Sequence, residues 1–372
     1  MSLLKDAERG GRLAALRAAG RLWPAAPVEP REFASRAADG RIRKLLLVGP
    51  HQRLGHFLCA TPLLRMLNAQ APGVSLHFLG NQVSRWAAES NPRLSRVWVW
   101  PKGLAAAGVL RRLRGERFDA ALLLTTEMPS TGGLLAARAS APLVAGYTPT
   151  SAGAEGVSAL IHCAVGPVAA THEVEKYLQL GRALGFSGGD GRLELTVKEE
   201  DRAEAEGFLA RSGAHGRRPR IGLFLGGKRS QSQRLWPAER FTELARRLSE
   251  AGASVIAIAP PAAGVGTQAG EDAGVGAFRE ALGARAPVFQ SGALGPVAAL
   301  LATFDLFICP DGGILHLAAA VDCPTLGLFF STDPRVWAHD VPGSAALSAS
   351  SGDALSVDEA ARRALQLVEA KR

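Results

Sequence analysis

Short apolar runs recur along the chain, and most are followed by a longer stretch in which apolar positions return every three or four residues. Arg43–Val48 (RKLLLV), Val74–Leu79, Val97–Trp100, Phe118–Leu124 and Leu143–Gly146 read as strands. Their apolar residues run together instead of alternating with polar ones, which is the pattern of strands covered on both faces. Helical spacing holds over residues 55–68, 82–89, 104–115, 129–138 and 172–186. After Gly188 the pattern loosens into mixed charges, several glycines and one helix over 199–211. A second series begins with strand Ile221–Leu225, helix Pro237–Glu250 and strand Ser254–Ala259, followed by a Gly/Ala loop. It continues with strand Val288–Phe289, helix Pro296–Thr303, strand Leu306–Ile308, helix Gly313–Val321 and strand Thr325–Phe329. An amphipathic helix over Val357–Ala370 closes it.

Strands alternating with helices at this spacing predict parallel sheets with covered faces. Two such series predict an α/β chain of two Rossmann-like domains facing one another across a cleft. Ordered structure is expected to start at Ile42. The expected parts are a basic extension (1–41), a first domain (42–190), a connection (191–218), a second domain (219–345) and a C-terminal helix (346–372).

Composition narrows this picture. The 372 residues, 47% hydrophobic and 21% charged, suffice for two domains that each bury a core. No apolar run approaches the ~18 residues of a membrane span, and the N-terminus lacks the pattern of a secretory signal, so a cytoplasmic protein is expected. Cys59, Cys163, Cys309 and Cys323 are scattered singly, which argues for reduced, mostly buried thiols rather than a disulfide framework or a zinc site. Of the net charge of +9, residues 1–44 supply +5, with ten Lys/Arg against five Asp/Glu. A basic balance fits nucleic acid, an anionic membrane surface or an anionic substrate. No aromatic interleaving or nucleic-acid module is present, so no nucleic-acid partner is expected. Leu13, Leu16, Leu22 and Trp23, flanked by Arg9, Arg12, Arg17 and Arg21, could form an interfacial helix on anionic lipid or belong to a solvated extension.

Two common nucleotide signatures are excluded. Gly49 and Gly55, six apart after the first strand, do not make Gly-x-Gly-x-x-Gly. The stretch from Gly222 to Arg229 approaches a P-loop, but Arg229 stands at the magnesium-binding Ser/Thr position and Gly222 falls inside a predicted strand.

Three constellations remain. The strongest is Pro310-Asp311-Gly312-Gly313 leading through His316 to Ala320, where a strand turns into a helix. Its glycines let backbone N–H groups approach an anion, and the helix N-terminus adds about half a positive charge, which suits a diphosphate. On the residues alone, Asp311 reads equally as an N-cap and His316 as a hydrogen-bonded core residue. The second is the polar loop from Leu225 to Pro237, with Lys228, Arg229, Ser230, Ser232 and Arg234, whose cations could neutralise a departing diphosphate. For Lys228 and Arg229 individually, a solvated basic loop is the alternative reading. The third runs from Arg53 to Leu64 and presents His56 at the carboxyl end of a strand, with Gly55 permitting a tight turn into the helix.

Taken in order, Gly55 to Leu64, Arg234 to Pro237, Asp311 to Ala320 and Thr332-Asp333-Pro334 resemble the motifs of the heptosyltransferase family, glycosyltransferase family 9, over about residues 42–340. The resemblance implies a GT-B fold, with the acceptor bound mainly by the first domain and the nucleotide-sugar by the second. It implies inverting transfer of heptose from ADP-heptose to a lipopolysaccharide core or related lipid-linked glycan. His56 falls where the family has its general base, an Asp. Arg234 falls on a Lys that contacts the diphosphate, and Gly312 on a Ser/Thr. The loop before Arg234 is about two residues longer than usual, so Ser230 or Ser232 is the candidate phosphate-facing hydroxyl. The nucleotide-sugar set is therefore Ser230, Ser232, Arg234, Asp311, Gly312, Gly313 and His316, with His56 catalytic. Pro260-Pro261-Ala262-Ala263 departs from the acidic residue that members often carry near the ribose.

The expectation is a metal-independent, cofactor-free glycosyltransferase with an inner-leaflet membrane contact, peripheral at the inner face of the inner membrane. A nucleotide-sugar epimerase or hydrolase, or a non-catalytic sugar-nucleotide-binding relative, are the alternatives.

Overall fold

A computed structural model describes residues 11, 14, 16–50, 53–101, 103–125, 130–148, 157–226, 235–260 and 269–370. The chain forms two compact units, Met1–Gly191 and Arg192–Arg372.

The first unit holds strands β1 (Lys44–Val48), β2 (Ser75–Gly80), β3 (Leu94–Val99), β4 (Ala120–Leu123), β5 (Leu143–Tyr147) and β6 (Cys163–Val165). They form one parallel sheet in the order β3-β2-β1-β4-β5-β6. Its helices are α1 (Glu32–Ala38), α2 (Leu54–Gln70), α3 (Gln82–Glu89), α4 (Ala105–Gly115), α5 (Thr131–Ser140) and α6 (Glu173–Ala183). Val109 and Leu113 of α4 and Leu134 and Ala137 of α5 pack with Leu46, Val48, Ala121, Leu123 and Val144. The central strands thus lie between helical layers, which is why β1, β4 and β5 read as unbroken apolar runs.

Order begins upstream of Ile42. Residues 16–22 are helical, and Leu16 is buried in the same core. Ala25 N–H donates to Ala159 O at 2.7 Å and Val28 N–H to His162 O at 2.9 Å. The Arg138 guanidinium lies 4.4 Å from the Trp23 ring centroid and donates to Trp23 O at 3.1 Å. Phe33 of α1 is fully buried, edge-on to Phe186 at 6.4 Å. The Arg/Ala-rich composition of this segment hid these few anchoring side chains. Leu16 faces protein, Leu22 (87% exposed) faces solvent, and Trp23 (45%) keeps part of its ring exposed beside Arg138.

The second unit repeats the plan with β7 (Arg220–Phe224), β8 (Ser254–Ala259), β9 (Val288–Gln290), β10 (Leu306–Pro310), β11 (Thr325–Phe329) and β12 (Ala345–Ser348). The sheet is again parallel, in the order β12-β11-β10-β7-β8-β9. Its helices are α7 (Glu199–Arg211), α8 (Ala238–Glu250), α9 (Ala269–Leu282), α10 (Leu294–Leu301), α11 (Gly313–Ala320), α12 (Pro334–Trp337) and α13 (Val357–Glu369). Helix α7 packs on α10, and Phe208 stacks edge-on to Phe289 at 4.9 Å. The C-terminal helix α13 lies on α8, with Ala360, Ala361 and Ala364 in the domain core. Where a Gly/Ala loop was expected, α9 forms.

In both sheets the strand order reverses once, between β1 and β4 and between β7 and β10. Loops leaving the carboxyl ends of such a pair diverge to opposite sides and open a crevice. In the second sheet this concerns the turns after β7 and β10, where two of the three candidate motifs lie. All four cysteines are buried and unbridged, and complete burial holds the Cys309 thiol well above its ordinary range. Among the described residues no helix is long and apolar enough to cross a membrane.

Candidate active site

The turn after β1 is held by its neighbours. Gly49 N–H donates to Leu79 O at 2.9 Å, and Asn81 Nδ2 donates to Pro50 O at 3.1 Å while its Oδ1 caps α3 through Val83 N–H at 2.8 Å. His51 and Gln52 lie outside the described residues. Helix α2 then starts from Arg53, an extended N-cap whose side chain makes no capping bond. His56 is its third residue and is half-buried. Gly55, expected to make the tight turn, is instead the buried second residue of the helix and takes no left-handed φ.

The Thr-Pro pair of this motif has a local physical reason. Pro62 lies inside α2 and has no N–H for the carbonyl of Leu58, four residues back. The buried Thr61 hydroxyl donates to Leu58 O at 2.7 Å and satisfies it.

In the second unit, β10 pairs with β7 in the register Ile308↔Leu223, so the chain beyond Pro310 emerges beside the chain beyond Leu225. The described residues on either side of 227–234 are each fixed in place. Gly226 passes so close to Pro260 that a Cβ there would lie 2.4 Å from its ring, so only glycine fits. At the far end, buried Trp236 donates from Nε1 to Leu355 O at 3.3 Å and meets Phe241 edge-on at 5.0 Å. The Trp-Pro pair therefore anchors the chain where α8 begins. Lys228, Arg229, Ser230, Ser232 and Arg234 lie outside the described residues.

After β10, Asp311 N–H donates to Leu328 O at 3.0 Å, and the Asp311 carboxylate accepts from the Thr332 hydroxyl at 2.8 Å. Asp311 is thus not the N-cap of α11. Gly312 is, with an extended φ of 164° and no side-chain cap. That backbone suits any residue, and a Cβ there would meet nothing within 4 Å, so neither strain nor crowding requires this glycine. Its lack of a side chain leaves the first-turn amides of Gly313 and Ile314 without a capping oxygen.

His316, one turn on, is buried (4% exposed), and its Nδ1 lies 2.6 Å from Nε2 of buried His339. Trp337 stands edge-on to it at 5.7 Å. One ring donates and the other accepts, so the pair carries at most one shared proton along this bond. Asp333 caps α12 by accepting from Arg335 N–H at 2.8 Å, and its ion pair with the Arg335 guanidinium (2.7 Å) holds its carboxyl below the usual range. Sequence reasoning left Thr332 without a role and passed over His339. The Thr-Asp-Pro motif marked the first, but nothing local marks His339 as a partner 23 residues from His316.

A sequence model of glycosyltransferase family 9 (heptosyltransferase) matches residues 107–362, more than two thirds of the chain. The chain belongs to that family. It is a glycosyltransferase. No curated protein sequence matches it. Among solved structures it resembles a glycosyl transferase family 9 protein from Veillonella parvula, with TM-score 0.74 and 18% identity over 88% of this chain and 97% of that one. It also resembles E. coli ADP-heptose lps heptosyltransferase II (TM-score 0.70, 18% identity, 88% and 99% covered). A third likeness is E. coli heptosyltransferase WaaC with ADP (TM-score 0.65, 18% identity, 87% and 99% covered). The two six-stranded parallel sheets of this transferase accordingly form the GT-B fold.

Proposed function

We propose that the protein transfers heptose, with inversion and without a metal, from ADP-heptose to a lipopolysaccharide core or related lipid-linked glycan. The observation that carries this reading is the second sheet's switch point, which brings the uncapped N-terminus of α11 beside the root of the loop bearing Arg234. Backbone amides, a helix dipole and a guanidinium suit a departing diphosphate without a divalent cation. The similar E. coli structures include WaaC with ADP and with ADP-2-deoxy-2-fluoro heptose, which favours an adenine nucleotide.

In this mechanism the donor diphosphate rests on the Gly312 and Gly313 amides, Arg234, and Ser230 or Ser232. Asp311 accepts a hydrogen bond from a donor sugar hydroxyl, and His316 supports α11 from beneath. In the first domain His56 takes the proton of the acceptor hydroxyl as it attacks the anomeric carbon opposite the diphosphate. The sugar–phosphate bond breaks, its electrons leave with the nucleoside diphosphate, and the anomeric centre inverts. The N-terminal segment, with Leu22 and Trp23 exposed beside Arg21, meets the anionic inner leaflet at the cytoplasmic face.

The test is turnover of ADP-heptose with a lipid A–Kdo acceptor in the presence of EDTA, with the product anomer assigned by NMR. Transfer with inversion is expected. Donor consumption without acceptor would mark an epimerase or hydrolase instead, and donor binding without turnover a non-catalytic relative. Co-sedimentation with anionic vesicles should fall with added salt and on deleting residues 1–24.

A further inference from the structure

A carboxylate at the mouth of a strand–helix turn must lose its rotameric freedom before it can hold a ligand hydroxyl in one place. Asp311 receives that constraint from a different strand. Strands β10 and β11 pair in parallel with Pro310 opposite Leu328, so the turn after β11 is carried alongside the turn after β10. There the Thr332 hydroxyl donates to Asp311 Oδ2 at 2.8 Å.

Thr332 is itself well placed for this. The next residue, Asp333, fixes the start of α12 through Arg335 N–H at 2.8 Å. Further on, His339 meets His316 of α11 at 2.6 Å. The segment from Thr332 to His339 is therefore fastened twice to the β10–α11 unit, once at the carboxylate and once at the helix that follows it.

The chemistry of the partner matters. A guanidinium at this point would neutralise Asp311 and could occupy both oxygens, as Arg335 does with neighbouring Asp333. A threonine hydroxyl orients one oxygen and, being uncharged, does not itself neutralise the carboxylate. We propose that Thr332 is a positioning residue for the donor sugar, holding the Asp311 carboxylate so that it accepts a hydrogen bond from a sugar hydroxyl. This rests on the donor reading above.

Two readouts test it. In protein carrying 13C-labelled Asp carboxyls, the Asp311 signal is the one missing from Asp311→Asn. Thr332→Val should move its titration midpoint upward, because a bond to the charged form is lost, and Thr332→Ser should restore it. Thr332→Ala serves if valine perturbs folding. In turnover, Thr332→Val should lower kcat/KM about ten- to hundredfold, the range for a hydrogen bond to a charged group, with serine recovering most of it. In an Asp311→Asn background the same change should add nothing. An unmoved midpoint, or an equal loss in both backgrounds, would overturn the proposal. A wrong donor assignment would show differently, as no turnover by the unmodified protein while the titration shift persists.

Discussion

Helices α2 and α11 each follow the carboxyl end of a switch-point strand, the first strand of one sheet and the fourth of the other, and both start without a side-chain cap. They differ in what they offer. Helix α2 carries its candidate reactive group, His56, in its own first turn, half-buried. Helix α11 offers backbone amides, while its own His316 is buried against His339 and the candidate side chain, Asp311, precedes it and is held from β11. Under the proposed mechanism the same strand–turn–helix geometry serves two kinds of chemistry: a side chain that moves a proton, and a fixed array of dipoles that holds charge. A motif's position in a sheet therefore does not fix which of its atoms act.

The largest expected effect tests the first half of that contrast. His56→Ala should lower turnover by about 10²–10⁴-fold and leave donor affinity little changed, as befits a group that takes the acceptor proton only as the reaction proceeds. Steady-state transfer assays with donor calorimetry would check it. A variant turning over at the normal rate would remove His56 from the mechanism.

Arg234→Ala probes the other half. It should weaken nucleoside diphosphate binding by about 1.5–3 kcal/mol, read by calorimetry, with the acceptor side unaffected. Unchanged affinity would mean that the dipoles of α11 act without this cation.

A stability effect of about 1–3 kcal/mol is expected at the Thr-Pro pair of α2, since Thr61→Val strands the buried Leu58 carbonyl. Pro62→Ala restores a backbone donor, so in the Thr61→Val background it should recover stability in urea unfolding. Additive losses in the double variant would show that the hydroxyl has another task.

The smallest effect sharpens the comparison at α11. Gly312→Ser should stabilise the protein by a few tenths of a kcal/mol, because a serine fits the extended backbone and can cap the helix. Thermal unfolding would detect the gain. If the cap competes with the diphosphate for the same amides, donor affinity falls in the same variant.

The sequence by itself determined most of the elements and the doubly wound α/β class, because buried parallel strands and amphipathic helices are written in local periodicity. It also marked the strand-to-helix turn at Asp311–Gly313, through the Gly-Gly pair between an apolar run and a helical one. It did not reveal β6 or β12, short edge strands of three and four residues with exposed positions. Nor did it reveal α9, whose glycines at 270, 274 and 276 mask its helical spacing. Residues 16–38 read as an extension because their docking rests on a few contacts, such as Leu16 in the core and Arg138 on Trp23. The tertiary structure alone decided the pairs that give the site its character. Thr332 meets Asp311 across 21 residues and His339 meets His316 across 23, and both meetings depend on the β10–β11 register. Local pattern records which face of an element is buried. Which distant side chain stands opposite is set only when strands choose their neighbours.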